Sequence, residues 1–399
     1  MTSDGQADAE EAYPDPPVEV ATVAPATLKR RLDAGEPVRL LDVRDRDEVQ
    51  AWAIDAPGVT LTQLPYQRFL QAQVTDAVAD LAGEIDGDGP ITVVCGYGAA
   101  SGYVAGLLEE AGIEARNLAD GMRGWARVYE ARAVSESDPT VLQYQRPASG
   151  CLAYLVIDGE EAVVVDPLRA FVDRYAADAA ERGADLVAAV DTHLHADHIS
   201  GLRALAVDPA VTAYLPERTL DRGVAIDATP LAPGDALPVG EISLEAVALP
   251  GHTTDMTGLR VADILFAGDS VFLDAVARPD LQETDAGAPA LAAELHETLT
   301  ERLASLPADT VVAPGHVGEE TTPGPEGTFT ATLGALRERL PAFDAGRDAL
   351  VEALLGGLPE EPANFERIVA VNAGRETVDD ETAFELELGP NNCAATPGE

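Results

Sequence analysis

The sequence predicts two domains in series: an α/β domain on a parallel sheet, then an α+β domain of two sheets with helices outside. Three observations point there. The chain has 399 residues, enough for each half to bury its own core. Up to about residue 134, short apolar runs alternate with helical stretches, the pattern of a helix-covered parallel sheet. From about residue 140, apolar runs joined by tight-turn dipeptides are mixed with helices, a texture that calls for hairpins.

Residues 1–17 are acidic and polar and read as a flexible tail. The first domain is placed at 18–134, with strands at 38–43 and 91–95 and a helix over 102–111 stopped by Gly112. Ser135-Glu136-Ser137-Asp138-Pro139, polar and closed by proline, is the expected linker. The second domain is placed at 140–340. Apolar runs at 151–157 and 161–165 flank Asp158-Gly159, a hairpin signal. A helix over 169–182 leads to a strand at 186–190 that ends at a histidine cluster. Further strands are expected at 242–248, 259–261, 264–266 and 310–312, with a long helix over 288–304. Residues 341–399 form a C-terminal extension packed on the second domain, a helix over 347–355 followed by a mostly extended segment.

Seventy acidic residues against 26 basic ones give a net charge of −44. Lys29 is the single lysine. Charge spread along the whole chain reads as a solvated acidic surface, suited to high salt where screening removes self-repulsion. The composition resembles that of haloarchaeal cytoplasmic proteins. Nucleic-acid binding is disfavoured, because phosphate neutralisation needs a basic stripe. No apolar run approaches bilayer length, and the N-terminus lacks the basic and apolar regions of a signal peptide, so a cytoplasmic location is expected. Cys95, Cys151 and Cys393 lie far apart, which gives no disulfide framework.

Five of the six histidines, His193, His195, His198, His252 and His316, sit at strand ends beside Gly, Pro or Asp. Three fall within six residues, and two repeat Pro-Gly-His. That clustering points to a metal site, completed by Asp269 after Ala267-Gly268. Imidazole and carboxylate donors suit Zn, Fe and Mn. His296, on a predicted helix, reads as an ordinary surface or core residue. Asp166 ends an apolar strand and is expected to orient a ligand by hydrogen bonding.

T-H-x-H-x-D-H at Thr192–His198, then G-H-T, G-D and G-H in that order, resemble the metallo-β-lactamase superfamily. The resemblance implies an αββα sandwich with the site at one edge, and leaves the reaction open. As in glyoxalase II, two zinc ions sharing Asp269 would be held by His193, His195 and His252 and by Asp197, His198 and His316, for thioester hydrolysis. The chain also resembles the persulfide dioxygenases, which implies one Fe(II) held by His193, His252 and Asp269. His195, Asp197, His198 and His316 would then support those ligands. Gly268-Asp269-Ser270-Val271-Phe272 and Ala277-Arg278-Pro279-Asp280-Leu281 look like that family's G-D-x-x-F and G-R-P-D-L, with Ala277 in place of a glycine. Arg278 either binds a substrate carboxylate or makes a structural salt bridge. The acidic tail without lysine counts against a glutathione thioester.

Leu40-Leu41-Asp42-Val43-Arg44, the run from Cys95 to Ser101 and Asp120-Gly121-Met122-Arg123-Gly124-Trp125 resemble a rhodanese domain. The resemblance implies that Cys95 opens a loop whose inward N–H groups favour a thiolate that carries sulfane sulfur. The loop lacks the arginines common in active members, so an inactive module is the alternative. Cys151 and Cys393 show no such context and read as structural. Sulfur transfer fused to persulfide oxidation has a clear chemical logic, which favours the dioxygenase. The partners are then a low-molecular-weight thiol persulfide and O2, with no nucleic acid or membrane and a homodimer left open. A non-catalytic sulfur carrier or regulatory protein is the reading from a different class.

Overall fold

A computed structural model describes residues 13–282, 287–318, 321–358, 361–389 and 394–395. Cys393, most of the acidic tail and most of the 389–393 segment therefore lie outside the described residues. The chain divides into two compact units between Val128 and Tyr129.

The first unit is a five-stranded parallel sheet. Strands β1 (Ala21–Val23), β2 (Val38–Asp42), β3 (Val59–Gln63), β4 (Ile91–Val94) and β5 (Ala115–Leu118) lie in the order β1-β5-β4-β2-β3. Leu40, Leu41, Ile91 and Val93 are fully buried, as continuous apolar runs in a helix-covered sheet require. Helix α1 (Ala99–Glu110) starts three residues before the expected 102. Gly98 makes this early start, since its left-handed φ of 92° turns the chain directly into the helix.

The second unit has two sheets packed face to face. The first comprises β6 (Glu130–Ser135), β7 (Thr140–Gln145), β8 (Leu152–Asp158), β9 (Glu161–Val165), β10 (Asp185–Val190), β11 (Thr212–Pro216) and β12 (Thr229–Leu231), in sequential order. Strands β6 and β7 pair antiparallel, so the polar, proline-closed stretch expected as a linker is a hairpin turn. Turns and linkers share that composition, and the boundary lies earlier, at Val128. Asp158-Gly159 does make its hairpin, with Asp158 facing Glu161.

The second sheet comprises β13 (Ala236–Val239), β14 (Ile242–Ala248), β15 (Thr257–Val261), β16 (Ile264–Gly268), β17 (Val311–Pro314) and β18 (Ala331–Thr332). Between the layers lies a core that includes Val156, Val163, Val190, Leu244, Leu259 and Phe266. Helix α2 (Val172–Ala180) covers the outer face of the first sheet through Tyr175 and Ala179. Helix α3 (Ala288–Glu297) and helix α4 (Arg347–Gly356) cover the second sheet through Leu295, Leu350 and Leu354. The expected αββα layering is present. The helix expected over 288–304 keeps its direction but passes into a π turn, Thr298–Arg302, and a 3₁₀ turn, Leu303–Ser305.

The segment expected to be extended after residue 355 instead forms helices α5 (Phe365–Asn372) and α6 (Asp380–Leu386). Each has few turns and flanking Gly or Pro, so its 3.6-residue period was too short to recognise. Ile368, Val371, Ala383 and Leu386 bury its apolar positions beside Ile199. Among the described residues no helix is long and apolar enough to cross a membrane.

Tyr154 ties the two layers. Its hydroxyl donates to Pro314 O at 2.6 Å and accepts from Gln143 Nε2 at 3.1 Å. Tyr154→Phe leaves that buried carbonyl unpaired, which costs about 1–3 kcal/mol. A lowered denaturation midpoint is expected, and an unchanged one would show that the tie is redundant.

Candidate metal centre

Each expected ligand stands just beyond the C-terminal end of a strand. His193, His195 and His198 occupy the loop after β10, His252 follows β14, Asp269 follows β16, and His316 follows β17. Glycines make the approach close enough. Gly268 has φ of 50°, and a Cβ at Gly315 would fall 2.5 Å from Asp269 Oδ1. All seven ligand-type side chains are buried.

His193, His252 and Asp269 form one group, with donor atoms within 4.8 Å of one another. Their neighbours decide which atoms face inward. Thr192 Oγ1 gives its proton to Asp166 Oδ2 at 2.9 Å, so towards His193 Nδ1, 3.0 Å away, it can only accept. Nδ1 therefore carries the proton and Nε2 is bare. His252 Nδ1 donates to Arg278 O at 2.8 Å, which bares its Nε2 as well. Asp269 Oδ1 is taken by His316 Nδ1 at 2.6 Å, leaving Oδ2. These three remaining atoms, His193 Nε2, His252 Nε2 and Asp269 Oδ2, are buried without hydrogen-bond partners. Oδ2 lies 3.8 Å from each Nε2. One ion with bonds of about 2.0–2.2 Å can span such gaps. The residues therefore fit a metal held by two histidines and one carboxylate.

Electrostatics agree with that donor set. Burial, aided by His195 and His252, holds His193 well below the usual histidine range, and burial likewise lowers His252. Both are neutral, as metal binding requires. Burial pushes Asp269 upward, but His316 outweighs it and keeps the carboxyl below its ordinary value.

A second group joins Asp197, His198, His316 and Cys151. His316 Nε2 meets Asp197 Oδ2 at 2.5 Å, and Asp197 also lies 3.2 Å from His198 Nδ1. Burial lowers His316, but Asp197 and Asp269 outweigh it and hold it well above the histidine range. An imidazolium thus bridges two carboxylates. Cys151 Sγ lies 3.3 Å from Asp197 Oδ2 and is fully buried. Cys151 is a core residue, and its thiol faces the metal loop. An isolated bridge to His316, far along the chain, puts it there, and no local motif marks it.

His195 turns its Nε2 to Asp166 Oδ1 at 3.1 Å, while its Nδ1 is buried without a partner. Asp166 also accepts from Thr192 N at 2.7 Å, the orienting role expected of it. Asp255 is a residue that sequence reasoning missed. Its carboxylate takes Leu194 N at 3.1 Å, Thr219 Oγ1 at 2.8 Å and Arg222 Nη1 at 2.9 Å, anchoring the middle of the histidine motif. Only an acid three positions after His252 hints at it. Arg278 is buried and paired bidentately with Asp280 at 2.8 Å. That is the salt bridge the sequence allows, and the Arg278 carbonyl also holds His252. His296 lies on α3 and faces Ala345 O, away from the ligands.

In the first unit, Cys95 follows β4, and Gly98 N donates to its Sγ at 3.1 Å. Ser101 Oγ lies 3.1 Å from the same sulfur. The Arg123 guanidinium lies 5.9 Å from the ring centre of Tyr97, a residue of the same loop.

Residues 146–316 match the family model described as the metallo-beta-lactamase superfamily, and residues 24–128 match that of the rhodanese-like domain. The chain is 32% identical over 181 residues to the mitochondrial persulfide dioxygenase ETHE1 of Homo sapiens, covering 44% of this chain. It spans only 66% of that relative's length. It is 36% identical over 210 residues to a hydroxyacylglutathione hydrolase of Rhodobacter capsulatus, 51% of this chain and 73% of the relative. A crystal structure of ETHE1 from Myxococcus xanthus superposes with a TM-score of 0.51 at 25% identity, over 62% of this chain and all of that one.

Thr192→Val keeps the side chain's shape and removes the relay that sets the His193 tautomer. Metal affinity, read by competition with a chromophoric chelator, is expected to fall about 10–100-fold. An unaltered affinity would sink the tautomer argument.

Proposed function

The chain belongs to the metallo-β-lactamase superfamily and carries a rhodanese-like domain ahead of that fold, and from this we propose that it is a persulfide dioxygenase. It would oxidise a low-molecular-weight thiol persulfide with O2 and water to sulfite and thiol. One observation carries this reading: His193 Nε2, His252 Nε2 and Asp269 Oδ2 converge without hydrogen-bond partners, while both ring nitrogens of His316 are engaged by Asp269 and Asp197. Similarity to the human persulfide dioxygenase supports it.

His193, His252 and Asp269 would hold Fe(II). Bound there, iron would supply the redox chemistry that joins O2 to a substrate sulfur. The chain's own residues do the rest. Thr192 and Arg278 O set the two imidazole tautomers, and His316 fixes the Asp269 carboxylate. His316 Nε2 shares its proton with Asp197 Oδ2, 2.5 Å away, which keeps a proton donor beside the centre. In the first unit Cys95 would carry sulfane sulfur as a persulfide, either feeding the dioxygenase or passing sulfur to its sulfite. Gly98 N–H and the start of α1 face that sulfur.

A second reading, a two-zinc thioester hydrolase, has its own observation. His195 Nδ1 is buried and unpartnered, as a further metal donor would be, and the chain resembles a hydroxyacylglutathione hydrolase. The deciding experiment loads purified protein with Fe(II) anaerobically in high salt and follows O2 uptake with a thiol persulfide. Rapid uptake is expected; no uptake, with thioester hydrolysis by the zinc form, establishes the second reading instead. Cys95→Ser is expected to spare O2 uptake and abolish thiosulfate sulfurtransferase activity. Retained sulfurtransferase activity would remove Cys95 from the scheme.

A further inference from the structure

The superfamily match ends at His316, yet the backbone of the histidine loop is held from well beyond it. Between His195 and Ser200 there is no strand or helix to satisfy the peptide groups. Asn372, the last residue of α5 and itself buried, supplies what is missing. Its Nδ2 donates to His195 O at 3.0 Å and to His198 O at 2.8 Å, and its Oδ1 accepts from Ser200 N at 2.9 Å. Both amide protons and the carbonyl are thus used, and no other side chain of that size offers this combination. Glu387 takes the intervening amide, Ile199 N, at 2.7 Å. Its other oxygen is bound by Arg146 Nη1 at 2.5 Å, with both side chains buried. Arg146 in turn lies over the rings of Phe171 and Phe384. Apolar contacts complete the brace, with Ile199 among Ile368, Val371 and Leu386, and Ala196 against Phe365 and Val369.

We infer that Asn372 is a positioning residue of the metal centre, and that Asn372 and Glu387 together make the C-terminal segment part of that centre. Asp197 lies between the two residues whose carbonyls Asn372 pins, and His198 carries one of them, so their directions, and the His316–Asp197–His198 network behind Asp269, depend on it. The carbonyls of His195 and His198 would otherwise be buried without donors. The inference rests on the metal centre and not on which reaction it runs, so a failed O2-uptake assay leaves it standing.

The test uses the full chain, stripped of metal and titrated anaerobically with Co(II), reading the visible absorption bands and the affinity by chelator competition. Asn372→Ala and the near-isosteric Asn372→Asp, which loses both donors, are each expected to weaken Co(II) about 10-fold or more and to change the band pattern. Arg367→Ala, a control that removes an exposed ion pair to Glu376 from the same helix without touching the carboxamide or the packing around Ile199, should keep the native bands. Native affinity and bands in both Asn372 variants would overturn the inference, as would equal disturbance by Arg367→Ala. Should the Asn372 variants not fold, hydrogen exchange in the unaltered chain decides. Protection of the Ile199 and Ser200 amides comparable to that of β10 supports the brace, and exchange at open-loop rates refutes it.

Discussion

Burying five histidines and their carboxylates at the edge of a two-sheet sandwich is the constraint to which the rest of the second unit responds. A buried ionisable group without a partner is costly, so each must be neutral, paired or left to bind a metal. The structure uses all three solutions. His193 and His252 are kept neutral by burial and by acceptors at Nδ1. His316 is kept charged between Asp197 and Asp269. Among the buried atoms without hydrogen-bond partners, His193 Nε2, His252 Nε2 and Asp269 Oδ2 face one another, and that convergence distinguishes a site from a packing fault.

The sandwich architecture serves this constraint. Strands β10, β14, β16 and β17 come from two sheets yet end at one edge, so residues distant in sequence meet at a single point. The interlayer tie at Tyr154 ends on Pro314, two residues before His316, and so links sheet spacing to ligand position. In the first unit the same principle works on a smaller scale. A parallel strand delivers Cys95 to the start of α1, where the Gly98 amide and the Ser101 hydroxyl meet the sulfur.

Much of this was legible in the sequence because its signals are local. His193, His195 and His198 share one loop, Pro-Gly-His marks two more strand ends, and apolar runs mark the strands that carry them. Asp166 could be given its orienting role because it ends such a run. What escaped was non-local. Cys151, Asp255, Asn372 and Glu387 reach the centre only through the tertiary fold, and each is an unremarkable residue in its own neighbourhood. Turn chemistry misled as well, since the polar stretch closed by Pro139 reads equally as a linker or a hairpin. Arg278 shows the converse case. Its motif drew attention to a guanidinium that is paired with Asp280, while its backbone carbonyl holds His252.

The brace also sets an order of events during synthesis. Asn372 lies 177 positions after His195, whose carbonyl it binds. At translation rates of about 5–20 residues per second, the histidine loop emerges roughly 10–35 s before its brace exists. His316, too, is made before the brace, so every ligand-type residue is in place while the loop backbone is still unheld. On the inference drawn above, tight holding of an ion by this loop would wait until α5 and α6 have been made, which places the brace last among the parts of the centre.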